Sequence, residues 1–296
     1  MRRFKGFFGL VVLGLLAGTA HGQTRLAWRF EEGEKFYVES VISSKDILKG
    51  TGAEAKQDAE RTTLTSFTVK RKNADGSLVL EQKIESIKVS VQGTLPKPDA
   101  ALHQLMEGTT FRLTLGKKLE LKSFEGYDAL ALRIAARDVE LGKLFRSVMP
   151  EETMRRAVEE AFGFLPDGDL KPGQRWSRKL ILPLGPIGSL NGLNSYTYRG
   201  YVDGKEKIDV EATLSYVAPP LTTEFIFQVN KGELKAENVR GTILFDPQTG
   251  KMAQSEIRLR LKGSLTVQAQ GQLRAIDVDQ EQTIRTRFLD KPPSSK

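Results

Sequence analysis

The chain has no cysteine in 296 residues and only two histidines. Without thiols there is no disulfide framework, no thiolate metal site and no cysteine nucleophile. Leu16-Ala17-Gly18 has the form of a lead-in to lipoprotein attachment, but Thr19 stands where the acylated cysteine would have to be. A thioether-linked lipid anchor is therefore excluded, and the expected product is not a lipoprotein. His21 and His103 are too few for a multi-histidine zinc site, and no G-x-S-x-G nucleophile turn accompanies His103. P-loop and dinucleotide glycine patterns are missing as well. Beyond residue 17 no apolar run is long enough to cross a bilayer as a helix, which predicts no transmembrane span after the leader.

What is present begins with that leader. Arg2, Arg3 and Lys5 precede the apolar run Gly6 to Ala17, and small residues follow at Gly18, Ala20 and Gly22. Positive start, short hydrophobic stretch and small-residue cleavage region predict a signal peptide over 1–22, cut after Ala20 or Gly22. The expected location is outside the cytoplasm, periplasmic or extracellular. Removing 22 of 296 residues leaves 296 − 22 = 274, enough for one large β-domain or two ordinary ones. Three basic residues leave with the leader, so the excess of 45 basic over 37 acidic residues falls to 42 − 37 = +5. So small an excess, interspersed with acids and lacking a reading module, predicts no nucleic-acid binding.

The mature chain reads as α+β and mostly antiparallel β. The first β-half covers 23–124: Phe67 and Val69, then the turn Asn73-Ala74-Asp75-Gly76, then Leu78 and Leu80 make a hairpin with period-two apolar positions. After Ile84 the phase slips by one to Ile87, Val89 and Val91, predicting a bulge. Gly116-Lys117 predicts a second tight hairpin. Over 125–165 the period changes to three and four, through Tyr127, Leu130 and Ile134, then Leu141, Leu144, Phe145 and Val148, then Met154, Val158, Phe162 and Leu165. These are amphipathic helices, the last opened by Pro150-Glu151-Glu152. Strands resume over 166–290, among them Phe225-Phe227-Val229, Ile257-Leu259-Leu261 and Leu265-Val267-Ala269. Residues 291–296 read as a frayed tail.

The halves share an ordered series of motifs. Gly33-Glu34-Lys35-Phe36 matches Gly173-Gln174-Arg175-Trp176, and Asp75-Gly76 matches Asp203-Gly204. Gly108-Thr109, Phe111 and Gly116-Lys117 match Gly241-Thr242, Phe245 and Gly250-Lys251. The series predicts an internal repeat, hence two related sheets or half-barrels with the helical segment between or across them.

No residue set identifies a reaction, and no cofactor is implied. Glu211 and Glu224 on strands read as solvated acids, and Asp167-Gly168-Asp169 and Asp246-Pro247-Gln248-Thr249-Gly250 as turns rather than ion-binding loops. Arg258, Arg260 and Lys262 alternate with apolar residues, as do Arg285 and Arg287. If their strands adjoin, the wet faces make a basic patch suited to an anionic envelope polymer or lipid head groups. Amphipathic helices across a curved sheet would leave a slot for an apolar ligand. The leading expectation is an exported, non-enzymatic binding protein for an apolar or amphiphilic, lipid-like ligand. Behind it stand an envelope assembly or adhesion protein using the basic face, and a carboxylate-dependent hydrolase with two facing acids.

Leu26-Ala27-Trp28-Arg29-Phe30 leading into Glu32 to Val38, Leu170 to Trp176, and Gly241 to Lys251 make the chain resemble an uncharacterised family of exported bacterial β-rich proteins of planctomycete type. The resemblance covers most of 26–288 and implies export and a β-rich architecture. It carries no activity, cofactor or site residues.

Overall fold

The computed structural model describes residues 23–50, 53–95, 100–219, 227–269 and 271–294. The expected leader over 1–22, together with Glu224, Phe225 and the last two tail residues, lies outside the described residues.

Among the described residues eleven strands form one antiparallel sheet. The first half contributes β1 (Lys35–Gly50), β2 (Ala53–Lys72), β3 (Leu78–Gly93), β4 (Thr110–Leu115) and β5 (Leu121–Glu125). The second contributes β6 (Arg175–Pro183), β7 (Ser189–Val202), β8 (Lys205–Val217), β9 (Phe227–Asp246), β10 (Lys251–Ala269) and β11 (Gln272–Leu289). The spatial order is β5-β4-β3-β2-β1-β11-β10-β9-β8-β7-β6. The α+β, mostly antiparallel class stands, but the halves are not two separate sheets. β1 pairs with β11 from Tyr37↔Leu289 to Lys49↔Asp277 and merges them. Ile257-Leu259-Leu261 and Leu265-Val267-Ala269 likewise belong to one long strand, β10, with Gly263 inside it.

Local signals explain the elements. The slip after Ile84 is a bulge: Thr65 opposes Ile84 while Leu64 opposes Ser86, so Glu85 is the extra residue. Its carboxylate accepts from Ser66 Oγ and Lys83 Nζ, both at 2.7 Å. Val202 pairs with Lys205 across Asp203-Gly204, both at positive φ (49° and 81°), the backbone that a two-residue hairpin demands.

The strand-start turns are built alike. Gly33 N–H donates to Val69 O and Val69 N–H to Glu34 O; Gly173 N–H donates to Tyr198 O and Tyr198 N–H to Gln174 O. Glu34 and Gln174 each accept from the residue three earlier, Glu31 and Lys171, at 3.1 Å. Register shifts follow in both halves, between Val69 and Arg71 and between Tyr198 and Gly200. The third motif pair is out of step. Gly116 opens the β4–β5 turn and Gly250 closes the β9–β10 turn, while Phe111 opposes Gln82 and Phe245 opposes Glu206.

Helix α1 (Ala100–Met106) precedes β4, and α2 (Tyr127–Arg137), α3 (Val139–Val148) and α4 (Glu151–Phe162) join β5 to β6. Asp138 caps α3 by accepting from Leu141 N–H at 2.9 Å. Pro150 occupies the cap of α4, with Glu151 and Glu152 in its first turn. Tyr127, Leu130, Ile134, Phe145, Val158 and Phe162 are buried, as their spacing predicts. Leu144 is not: α3 turns Gly142 and Phe145 inward and leaves it 48% exposed.

The segment before β1 locks the halves together. Trp28 stacks on Phe30 and meets Phe162, Phe164, Phe245 and Phe288 with ring centres 5.5–5.7 Å away. Its indole N–H donates to Phe162 O at 2.9 Å. Trp28 thus touches both the first-half core and the core of the second half near β7–β9. Beside it Lys251 is buried, pairs with Glu34 at 2.6 Å and stands over the Phe30 ring. Trp28→Ala is expected to lower stability by about 3 kcal/mol, as large aromatic truncations do. Urea unfolding measures it, and a loss below about 1 kcal/mol would show that the aromatic cluster is not a joint.

Candidate functional site

Strand parity decides which side chains face the hollow of the sheet. Phe36 and Phe67 oppose each other in the core, so every second residue from them on β1 and β2 shares that inner face. Near the helices the hollow is filled, with Leu80, Leu113, Leu130, Ile134 and Phe145 fully buried. The far part of the second half packs on itself through Leu190, Leu214, Leu234, Leu261 and Leu265. The rest is different. On β1 and β11, away from the helices, Ile42, Leu48, Val278 and Ile284 are only half-buried, and Val89 on β3 is 37% exposed. An apolar inner strip is therefore left partly wet between two solid cores.

Helix α4 makes close contacts with both β5 and β6, the two edge strands, and so bridges the opening of the curled sheet. Its contact with β6 also covers part of an edge that would otherwise invite another strand. Beside α4 lies a cleft of about 240 Å³ lined by Arg156, Glu160, Phe164, Arg178, Asn194 and Tyr196, among others. Partial desolvation by the cleft walls pushes Glu160, which is still exposed to water, up to about 7 against the nearby charge of Arg156, and burial lifts Tyr196 to about 12. Arg178 donates to Leu165 O at 2.7 Å and Gly163 O at 3.2 Å, so this inner cation is satisfied by backbone. The acids lining the cleft, Glu159 and Glu160, are neighbours on one helix, which does not build the two facing carboxylates of glycoside hydrolysis.

The five residues of the anticipated basic patch do share one face, the outer one. Arg258, Arg260 and Lys262 oppose Thr283, Glu281 and Asp279, while Arg285 opposes Glu256 and Arg287 opposes Gln254 on one side and Glu39 on the other. The arginines are paired. Glu256 accepts from Arg285 at 2.7 Å and lies 2.5 Å from Arg258; Asp279 takes Arg260 in a two-pronged bond at 2.8 and 2.7 Å; Glu39 holds Arg287 at 2.5 Å. Bonds from Arg285 and Arg258 hold Glu256 below the usual carboxylate range, and Arg260 does the same for Asp279. Reading β10 and β11 in isolation misses the acids supplied by their neighbours. Lys262 lines a mixed outer groove of about 660 Å³ with Lys49, Lys235, Glu233, Asp277 and Asp279.

The loop readings resolve in the same way. Asp246 accepts from Gln248 N–H at 2.8 Å and Thr249 N–H at 3.3 Å and pairs with Lys205 at 2.8 Å, so its oxygens serve the turn. Asp167 pairs with Lys118 at 2.9 Å, and Glu211 is exposed. His103 lies in α1. Among the described residues, no helix is long and apolar enough to cross a membrane.

No family model and no curated protein matches the chain. Among solved structures, one of lipovitellin described for its lipid–protein interactions aligns with TM-score 0.48 and 9% identity, over 90% of this chain and 26% of that one. The chain thus spans about a quarter of lipovitellin's length. A putative outer membrane lipoprotein-sorting protein domain from Vibrio parahaemolyticus aligns with TM-score 0.16 and 10% identity, over 86% and 87%. OccK7 from Pseudomonas aeruginosa gives 0.23 and 8%, over 87% and 99%. Likenesses of this size carry no functional argument.

The raised Glu160 pKa has a definite sign. An acid whose folded pKa exceeds its unfolded value is harder to ionise in the folded protein, so stability falls as pH rises from about 4.5 to about 7. Glu160→Gln is expected to match the parent near pH 4 and to melt at progressively higher temperature than the parent up to pH 7, with a constant gap above. Thermal melts across that range check it; a pH-independent gap would mean that desolvation of the Glu160 carboxylate is not the cause.

Proposed function

We propose that the protein is an exported, non-enzymatic carrier or receptor that takes an elongated apolar or amphiphilic ligand on the inner face of its sheet. The supporting observation is the unfinished core: half-buried Ile42, Ile284 and Leu48 and exposed Val89 share the inner face, while the cores on either side are solid. Apolar surface of this kind gains roughly 25 cal/mol per Å² when a ligand removes it from water. α4, bridging the two sheet edges, is the element that would have to yield for a long ligand to enter. Export rests on the basic-apolar-small pattern of residues 1–22, and the resemblance to exported β-rich bacterial proteins agrees with it. The matched turns Gly33-Glu34 and Gly173-Gln174, with the same hydrogen bonds and following bulges, support an origin by duplication.

The test uses N-phenyl-1-naphthylamine, a neutral probe that fluoresces in apolar surroundings. The purified protein is expected to bind it, and Ile284→Gln together with Val89→Gln to weaken binding at least tenfold, while the outer-face control Thr283→Gln leaves it unchanged. Absence of binding, or equal loss in the control, would remove the proposal.

A further inference from the structure

We infer that Arg61 anchors the anionic head of an amphiphile whose single chain lies across the strands over Ile42, Ile284 and Ile257. The inference rests on the inner-face reading above and specifies the chemistry of its ligand.

Register places the residues. On β2, Arg61 follows Phe67, Thr65 and Thr63 by twos and so shares their inner face; it opposes Ile42 on β1 and Val89 on β3. Ile42 opposes Ile284 on β11, and Ile284 opposes Ile257 on β10. One row running across the sheet therefore begins at a guanidinium and continues as three isoleucines, spanning about 14 Å at the usual strand spacing. Polar rows border it. Ser40, Thr286 and Ser255 lie on the side toward the helices, and Ser44 and Gln282 on the far side. On the far side Leu259 and Ala59 flank these polar residues, so the stripe is bounded by polar groups over β1 and β11, a width that suits one acyl chain better than a globular partner.

The electrostatics supply the head group. Arg61 has no hydrogen bond or ion pair among the described residues, and it is exposed to water. The surrounding strands still lower its pKa from the ordinary arginine value by partial desolvation. The acid on the inner face of β1, Asp46, is four residues beyond Ile42, about 13 Å along the strand. Its carboxylate is already taken by Gln280 and by Ser44 Oγ at 2.9 Å. Outer-face Arg258, Arg260, Arg285 and Arg287 have carboxylate partners, and inner-face Arg178 has backbone carbonyls. An unpaired guanidinium at the end of an apolar row is open to an anion, and its planar fork matches a carboxylate or a phosphate.

The experiment displaces the naphthylamine probe from the intact mature protein with dodecanoate, dodecyl phosphate, dodecanol and inorganic phosphate, all below micellar concentrations. Both anionic amphiphiles are expected to bind at least tenfold more tightly than dodecanol, and inorganic phosphate not to displace the probe. Arg61→Gln should abolish the preference while leaving dodecanol affinity unchanged, and Arg61→Lys should restore part of it. Thermal melts of Arg61→Gln at or above the parent confirm that folding is intact. A preference that survives in Arg61→Gln, or none in the parent despite dodecanol binding, overturns the assignment of Arg61 alone. Displacement by inorganic phosphate overturns the amphiphile in favour of a free anion. Failure of the parent to bind the probe removes the inner-face reading and this inference with it.

Discussion

The ladder between β1 and β11 is the contact on which the remaining architecture depends. Without it the chain would present two meanders, each with a long unpaired edge, and an exposed edge is a template for aggregation. With it, residues more than 220 positions apart pair from Tyr37↔Leu289 to Lys49↔Asp277, and the unpaired edges move out to β5 and β6. The contact of α4 with those two edge strands then deals with edges the ladder cannot remove. Trp28 fixes the joint from inside, since its ring lies against aromatics from both halves and its N–H ties it to the end of α4.

The same ladder makes the candidate site. β1 and β11 are the central strands, and away from the helices their inner positions mix Ile42 and Ile284 with Ser44, Gln282 and Asp46 rather than continuing the solid core. The outer face of these strands is an ion-pair lattice in which Glu39, Glu256 and Asp279 hold the arginines. Exposed pairs of this kind contribute little stability each, but they leave the face without a strong net field. The inner guanidinium of Arg61 has no such partner, unlike these outer arginines and the inner Arg178. That contrast moves attention from the outer basic residues to the inside of the sheet.

Much of the local structure was legible in the sequence because its causes are local. The Phe67-Val69 and Leu78-Leu80 hairpin, the bulge near Ile84 and the helices over 127–162 follow from period, turn residues and caps within a few positions. The β1–β11 pairing was not, because no turn connects those strands and both carry polar residues on their inner faces. The basic patch was half legible: alternation put five cations on one face, but only neighbouring strands reveal their acids. Arg61 went unnoticed among the threonines and glutamates of β2. Counting by twos back from Phe67 would have placed it inside, whereas its lack of a partner is visible only once the fold surrounds it.

The central claim is that the two halves form one continuous sheet held at β1 and β11, and hydrogen exchange of backbone amides tests it most directly. Amides of both strands should exchange as slowly as those of β2 and β10, opening only with the global unfolding of the sheet. Exchange in β1 and β11 orders of magnitude faster than in the strands on either side would mean that the halves are separate sheets, and the inner row from Arg61 to Ile257 would not exist.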